Sequence, residues 1–154
     1  MEIREKIELL YGKDTSKAYG VLKELEALSD REDSLYPFLD EFISMLDSDR
    51  YAVRVRGFRL LCKQAKWDSE NRIDGAIGSV LAVLHDEKPT AVRQALQYLE
   101  TVVPYKKALG GKIREAVLGI DAASYQDTMR PLIEKDIRRL VKVIDENSEN
   151  ERRT

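Results

Sequence analysis

The sequence predicts an all-α chain arranged as a short α-solenoid of about four helical hairpins. Three observations carry this. Apolar residues recur at helical spacing almost throughout the 154 residues. No stretch shows the strict alternation of a half-buried strand. A motif also repeats at an offset of 39: Met45, Asp47, Ala52 and Val53-Arg54 correspond to Leu84, Asp86, Ala91 and Val92-Arg93, and Leu60 corresponds to Leu99. The same frame places Lys17 37 residues before Arg54 and Arg130 37 after Arg93, so a basic residue opens the second helix of every hairpin. A period near 40 with two helices per unit is the signature of stacked hairpins. A compact helical bundle is the rival arrangement, because similar hairpins build it.

The first hairpin is predicted over 2–11 and 16–29. Asp14 or Thr15 is placed to accept from the free N–H groups of its second helix, whose apolar stripe is Val21, Leu22, Leu25 and Leu28. The second covers 35–47 and 50–66, with Leu35, Phe38, Leu39, Phe42, Ile43 and Leu46 facing Phe58, Leu61, Cys62 and Ala65. The third covers 70–85 and 89–104. Asp68 or Ser69 caps its first helix, and Pro89 suits the first turn of its second, where a missing N–H costs nothing. Gly110-Gly111 is read as the break before the fourth hairpin, at 112–120 and 125–146. There Ser124 and Asp127 resemble a capping box, and Ile133, Ile137, Leu140, Val141 and Ile144 form the last stripe. Residues 1–146 make one domain. Residues 147–154 have no apolar content and are expected to be a frayed polar tail.

Composition narrows the setting. Charged residues make up 35% and apolar residues 43%, enough to fold and rich enough in charge for an elongated shape with much surface. The 26 basic and 28 acidic residues nearly cancel, so partner chemistry depends on where the charges lie. Cys62 is the single cysteine and has no partner for an intramolecular disulfide, which fits a reducing compartment. The opening Met-Glu-Ile-Arg-Glu-Lys-Ile-Glu interrupts any apolar stretch a signal peptide needs, and no run is long enough to span a membrane. The cytoplasm is the expected location, with no membrane association.

The units Leu84-His85-Asp86, Pro89, Val92-Arg93, Ala95, Leu99 and Leu46-Asp47, Val53-Arg54, Leu60-Leu61 resemble HEAT/armadillo repeats, most clearly over residues 45–104. The resemblance implies a right-handed superhelix with the second helices on the concave face. It also implies a ladder of acid and arginine tying neighbouring repeats, carried here by Asp47, Arg54, Asp86 and Arg93.

Catalytic constellations are sparse. Activated nucleophiles need a base aimed at a Ser, Cys or Thr. The one histidine, His85, sits in a repeat turn with no second imidazole or thiol to help hold zinc. Cys62 lies on an apolar stripe, as a buried structural thiol does. Gly110-Gly111-Lys112 lacks the strand and the spacing of a phosphate loop. Asp30, Glu32 and Asp33 read as a solvated linker, without the alternating ligands of a calcium loop. No enzyme activity, cofactor, metal or small-molecule substrate is expected. Trp67, the only tryptophan, reads as a residue packed between hairpins or as an exposed anchor.

One feature stands out. The helix at 50–66 carries Arg50, Arg54, Arg56, Arg59, Lys63 and Lys66 and no acid. Arg56, Arg59, Lys63 and Lys66 fall on one stripe. The last helix repeats the tendency with Arg138 and Lys142, beside Lys135 and Arg139, and Tyr98 lies between the two. Either these charges pair with neighbouring acids on a solvated face, or they line a groove for an anionic partner. The leading expectation is a non-catalytic binding module or scaffold. It engages a protein partner, an acidic segment in particular, through Arg56, Arg59, Lys63, Lys66, Tyr98, Arg138 and Lys142. The alternative is nucleic-acid binding through the same cationic face.

Overall fold

The computed structural model describes the backbone of residues 1–153 and the side chains of residues 1–149. Among these residues the chain is entirely helical, without strands. Nine α-helices follow one another: α1 Ile3–Leu9, α2 Thr15–Arg31, α3 Leu39–Met45, α4 Tyr51–Lys63, α5 Arg72–Gly75, α6 Ile77–Ala82, α7 Pro89–Val102, α8 Gly110–Leu118 and α9 Arg130–Arg153. Short 3-10 segments extend or join them. No helix among the described residues is long and apolar enough to cross a membrane.

Four of the longest helices are consecutive neighbours: α2 packs on α4, α4 on α7, and α7 on α9. Each also holds the shorter element before it, α1 against α2, α3 against α4, the Val83–His85 turn after α6 against α7, and α8 against α9. One apolar cluster runs through all of them, from Ile7 through Phe42, Phe58 and Leu96 to Ile144. The helical stripes expected from the sequence supply it. Local signals behave as expected at two starts. Asp14 accepts from Lys17 N at 3.1 Å at the head of α2, and Pro89 opens α7.

Several boundaries differ from expectation, for local reasons. The segment 70–85 is broken into α5, α6 and a 3-10 turn, with Ala76 off helical geometry at φ −107° and ψ 11°. Gly75 and Gly78 flank that break and weaken helix propagation there. Gly110 and Gly111 do not separate the last two hairpins; they form the first turn of α8, and Gly110 is buried against the Ile144 methyl. The break falls instead at Pro104–Lys106, where Lys106 takes φ −131° and ψ 55°. Ser124 does not cap α9: its hydroxyl donates to Asp121 O at 2.7 Å, and α9 begins only at Arg130, with Pro131 in its first turn. The expected frayed tail is also different. Helix α9 runs on through residues 147–153, which contain no Gly or Pro to stop it, and Asn147 Nδ2 donates back to Val143 O at 2.9 Å. Thr154 lies outside the described residues.

Two contacts anchor the fold that positions the exposed face. Helix α4 crosses α3 at Gly57. A Cβ there would lie 2.5 Å from Met45 Cβ and 2.9 Å from Phe42 O, so only glycine lets these two backbones approach. The second is a buried polar cluster behind α5. Asp68 accepts from the backbone N–H groups of Arg72 and Ile73, both at 2.9 Å, and from the Tyr36 hydroxyl at 2.6 Å. Lys106 Nζ lies 2.9 Å from Asp68, 2.7 Å from Asp74 and 2.9 Å from the Asn71 side-chain oxygen. Asn71 itself adopts φ 55°, a left-handed conformation that asparagine tolerates. The cluster thus joins the segment before α3, the end of α4 and the α7–α8 connection.

Gly57→Ala is expected to lower stability by about 1–3 kcal/mol, because overpacking at a backbone crossing exceeds alanine's better helix propensity. Urea unfolding measures this. Burial alone would raise the Asp68 carboxyl, but the Tyr36 hydroxyl, the Lys106 ammonium and two backbone N–H groups outweigh it and hold it below the usual carboxylate range. A depressed carboxylate stabilises the fold above its unfolded value, near 3.9, and that contribution is lost as pH falls through the folded value. Asp68→Asn should therefore cost about 2–3 kcal/mol at pH 7. The gap to the parent protein should close as unfolding is followed below about pH 4.

Candidate binding surface

The sides of α2, α4, α7 and α9 that turn away from the short helices form the candidate surface. Its central helix, α4, is where the sequence concentrates positive charge, and each of those charges has a partner. Arg59 donates from Nε and Nη2 to the Glu26 carboxylate at 3.0 and 2.8 Å and from Nη1 to Gln94 at 3.0 Å. Its guanidinium also lies 4.7 Å from the Tyr98 ring centre. Lys63 pairs with Asp30 at 3.0 Å, and Lys66 donates to Asp30 O at 2.6 Å while lying 4.9 Å from the Trp67 ring. Trp67 is half-buried and donates from Nε1 to Ser29 O at 2.7 Å, so it packs between hairpins.

Arg56 departs furthest from expectation. It is 6% exposed, not a member of an open cationic stripe. The reason is the tail of the first hairpin turn: Arg56 Nη1 donates to Leu10 O at 2.8 Å and Gly12 O at 3.1 Å, satisfying carbonyls that α1 leaves free at its C-terminus. Arg50 does the same for Tyr11 O and Gly12 O. Neither arginine meets a carboxylate among the described residues. Burial, with Arg50 nearby, pushes the Arg56 guanidinium below its ordinary value.

Two of the four residues expected to tie neighbouring hairpins, Arg54 and Asp86, meet each other. Arg54 grips Asp86 with two bonds, at 2.8 and 3.1 Å, which ties the second hairpin to the third. The Asp86 contact holds the Arg54 guanidinium above its usual value. Arg93 pairs with Asp136 on α9 at 2.8 Å. Asp47, the remaining expected rung, is exposed and has no ion pair among the described residues.

On α9, Lys135, Arg138, Arg139 and Lys142 are all exposed along one side. Arg139 reaches Glu100 at 3.1 Å, and Lys142 lies 4.0 Å from Glu146. Lys135 and Arg138 have no ion pair among the described residues. Helix α7 lies between these four and the α4 cations, and its Thr101 lines the cleft on either side. Tyr98 is half-buried; burial, then the neighbouring Glu26, raises its hydroxyl well above the ordinary range.

Several open clefts lie along the surface, and another, about 550 Å³, lies between α6 and α8. One of about 170 Å³ lies among α2, α4 and α7, with Tyr19 and Tyr51 as walls, Leu22 and Val55 inside, and Arg56 and Arg59 at its base. A second, about 290 Å³, sits near the other end of α4, between Lys63, Lys66, Thr101 and Tyr105. A third, about 520 Å³, separates α7 from α9 and is lined by Gln97, Thr101, Leu132, Lys135 and Arg139. Tyr19, Tyr51 and Tyr105 are 52%, 42% and 57% exposed; Tyr11, at 37%, donates its hydroxyl to Glu41. None of Tyr19, Tyr51 and Tyr105 is marked in the sequence, because a single tyrosine on a polar side carries no periodic signal.

Other reactive side chains sit elsewhere. Cys62 is buried, and that burial pushes its thiol well above the ordinary value. His85 is exposed at the end of the turn after α6. Among the described residues, no three His, Cys, Asp or Glu side chains converge on a metal-sized site. No protein-family model matches this chain, and no curated protein or solved structure matches it either.

Proposed function

We propose that this chain is a HEAT-like helical-repeat module. It binds a protein partner, and catalyses nothing itself, through the side of α2, α4, α7 and α9 that turns away from the short helices, the concave face that the repeat resemblance implies. The observation that carries the reading is a face of side-by-side helices with open clefts and the well-exposed Tyr19, Tyr51 and Tyr105. Tyrosine offers a large, rigid contact area with a polar tip and is enriched where binding energy concentrates. The stacking of each hairpin on the next, and the Arg54–Asp86 pair between two of them, support the repeat assignment. The cationic contribution moves in this reading: Lys135, Arg138 and Lys142 on α9 remain open to a partner, whereas Arg59, Lys63 and Lys66 serve the fold.

Nucleic-acid binding is the second reading, favoured by the exposed cations of α9. Phosphate recognition gains from several cations acting together. Here Glu100, Glu134, Asp136 and Glu146 interleave with them, which weakens the field that a polyanion would meet.

A photo-crosslinking residue at Tyr51 or Leu132, compared with one at Ser79 on the opposite side, distinguishes these readings in native extract. The expected result is a protein adduct from Tyr51 and Leu132 that is absent from Ser79 and falls at least about fivefold when Tyr19 and Tyr105 are changed to alanine, as the loss of two hot-spot side chains implies. Equal adducts from both sides would contradict the proposed face. Adducts removed by nuclease would favour nucleic acid.

A further inference from the structure

Arg56 is a buried cation without an anion. Its Nη1 serves two carbonyls, while Nε and Nη2 have no protein acceptor among the described residues. The part of the side chain that remains exposed lines the cleft walled by Tyr19 and Tyr51. That cleft holds two guanidinium groups, Arg56 and Arg59, and no carboxylate lines it. Glu26 is engaged by Arg59. Asp49 and Glu87 belong to the neighbouring cleft, beside Arg50 and Lys88. Two further ammonium groups stand over the cleft's aromatic walls, Lys23 at 5.8 Å from the Tyr19 ring centre and Lys88 at 5.6 Å from that of Tyr51. A buried charge that lacks a counter-ion is costly, so a carboxylate entering here gains more than it would at a solvated lysine.

We propose that this cleft receives a carboxylate from an acidic segment of the protein partner, with the adjoining apolar side chain held between Tyr19 and Tyr51. Arg56 donates to the carboxylate from Nε and Nη2, the planar two-bond arrangement that suits a guanidinium. Leu22 and Val55 meet the apolar neighbour. At about 170 Å³ and lined by single side chains of α2, α4 and α7, the cleft suits a carboxylate and part of its apolar neighbour, not a stacked run of bases. The inference rests on the protein-binding reading and adds the chemistry of the bound segment.

The test is an NMR titration with three probes: N-acetyl-Phe-Glu amide, its glutamine counterpart, and a ten-nucleotide thymidine oligonucleotide. The glutamate peptide is expected to shift the Arg56 Nε–H signal and the Tyr19 and Tyr51 ring signals saturably. The glutamine peptide should bind about tenfold more weakly, the loss of a charge-assisted bond. Because Arg56→Ala also removes a structural contact, the deciding variants are Thr90→Glu, which places an anion at the cleft, and Tyr51→Ala. Each should weaken the glutamate peptide at least about fivefold without altering the remaining spectrum. Equal binding of the two peptides, indifference to Thr90→Glu, or response to the oligonucleotide alone would overturn the inference. If the peptides fail while partner crosslinks from Tyr51 and Leu132 persist, only the carboxylate cleft is lost. Peptide binding without any crosslinked partner would instead remove the wider binding role.

Discussion

The burial of charge along α4 is the constraint on which the rest of the structure depends. This helix packs against α2, α3 and α7, so its arginines and lysines cannot all be left to water. Burying a cation is tolerable only when it is paired or fully hydrogen-bonded. The chain meets that requirement in full for Arg54 and Arg59, and only in part for Arg56, by drawing each neighbour toward α4. Glu26 and Asp30 come from α2, Asp86 from the turn before α7, and free carbonyls from the end of α1. The charges that look from sequence like a binding stripe are therefore the ties that set the spacing between hairpins. Packing demands the same economy on the other side of α4, where Gly57 lets α3 close in.

This arrangement explains how a charge-rich chain keeps one continuous core. Apolar stripes supply cohesion, while bidentate arginine contacts supply register between successive hairpins. The Lys106–Asp68–Asp74 cluster plays the corresponding part for the broken helices α5 and α6, whose short lengths give them little stability of their own. The proposed binding role draws on what these ties do not consume: Tyr19, Tyr51 and Tyr105, the cations of α9, and the remaining N–H groups of Arg56.

The helical content, the apolar stripes and the alternation of hairpins were legible because they follow a period that residue type alone records. Asp14, Pro89 and the Asp68 cap were legible for the same reason, since each acts on its own local backbone. The repeat resemblance names Arg54, Asp86 and Arg93 but not their pairing, and Asp136, the partner of Arg93 on α9, lies outside the motif. The gap between α4's charge and α4's role was not legible. Sequence places Arg56 and Arg59 on one stripe but says nothing about which helices cover it, and Glu26 and Leu10 lie more than thirty residues away. Boundaries differ for two reasons: Gly110 begins a helix because it packs on Ile144, and α9 persists beyond residue 146 because no Gly or Pro halts it.

The most direct test is a double-mutant cycle on Arg59 and Glu26, with unfolding free energies measured for Arg59→Ala, Glu26→Ala and the pair, at low and high salt. If α4 charges are structural ties, the coupling should be about 1–3 kcal/mol and largely insensitive to salt, as for a desolvated bidentate pair. A coupling below about 0.5 kcal/mol that vanishes with salt would mark a solvated surface pair. It would return the cations of α4 to the pool available for a partner.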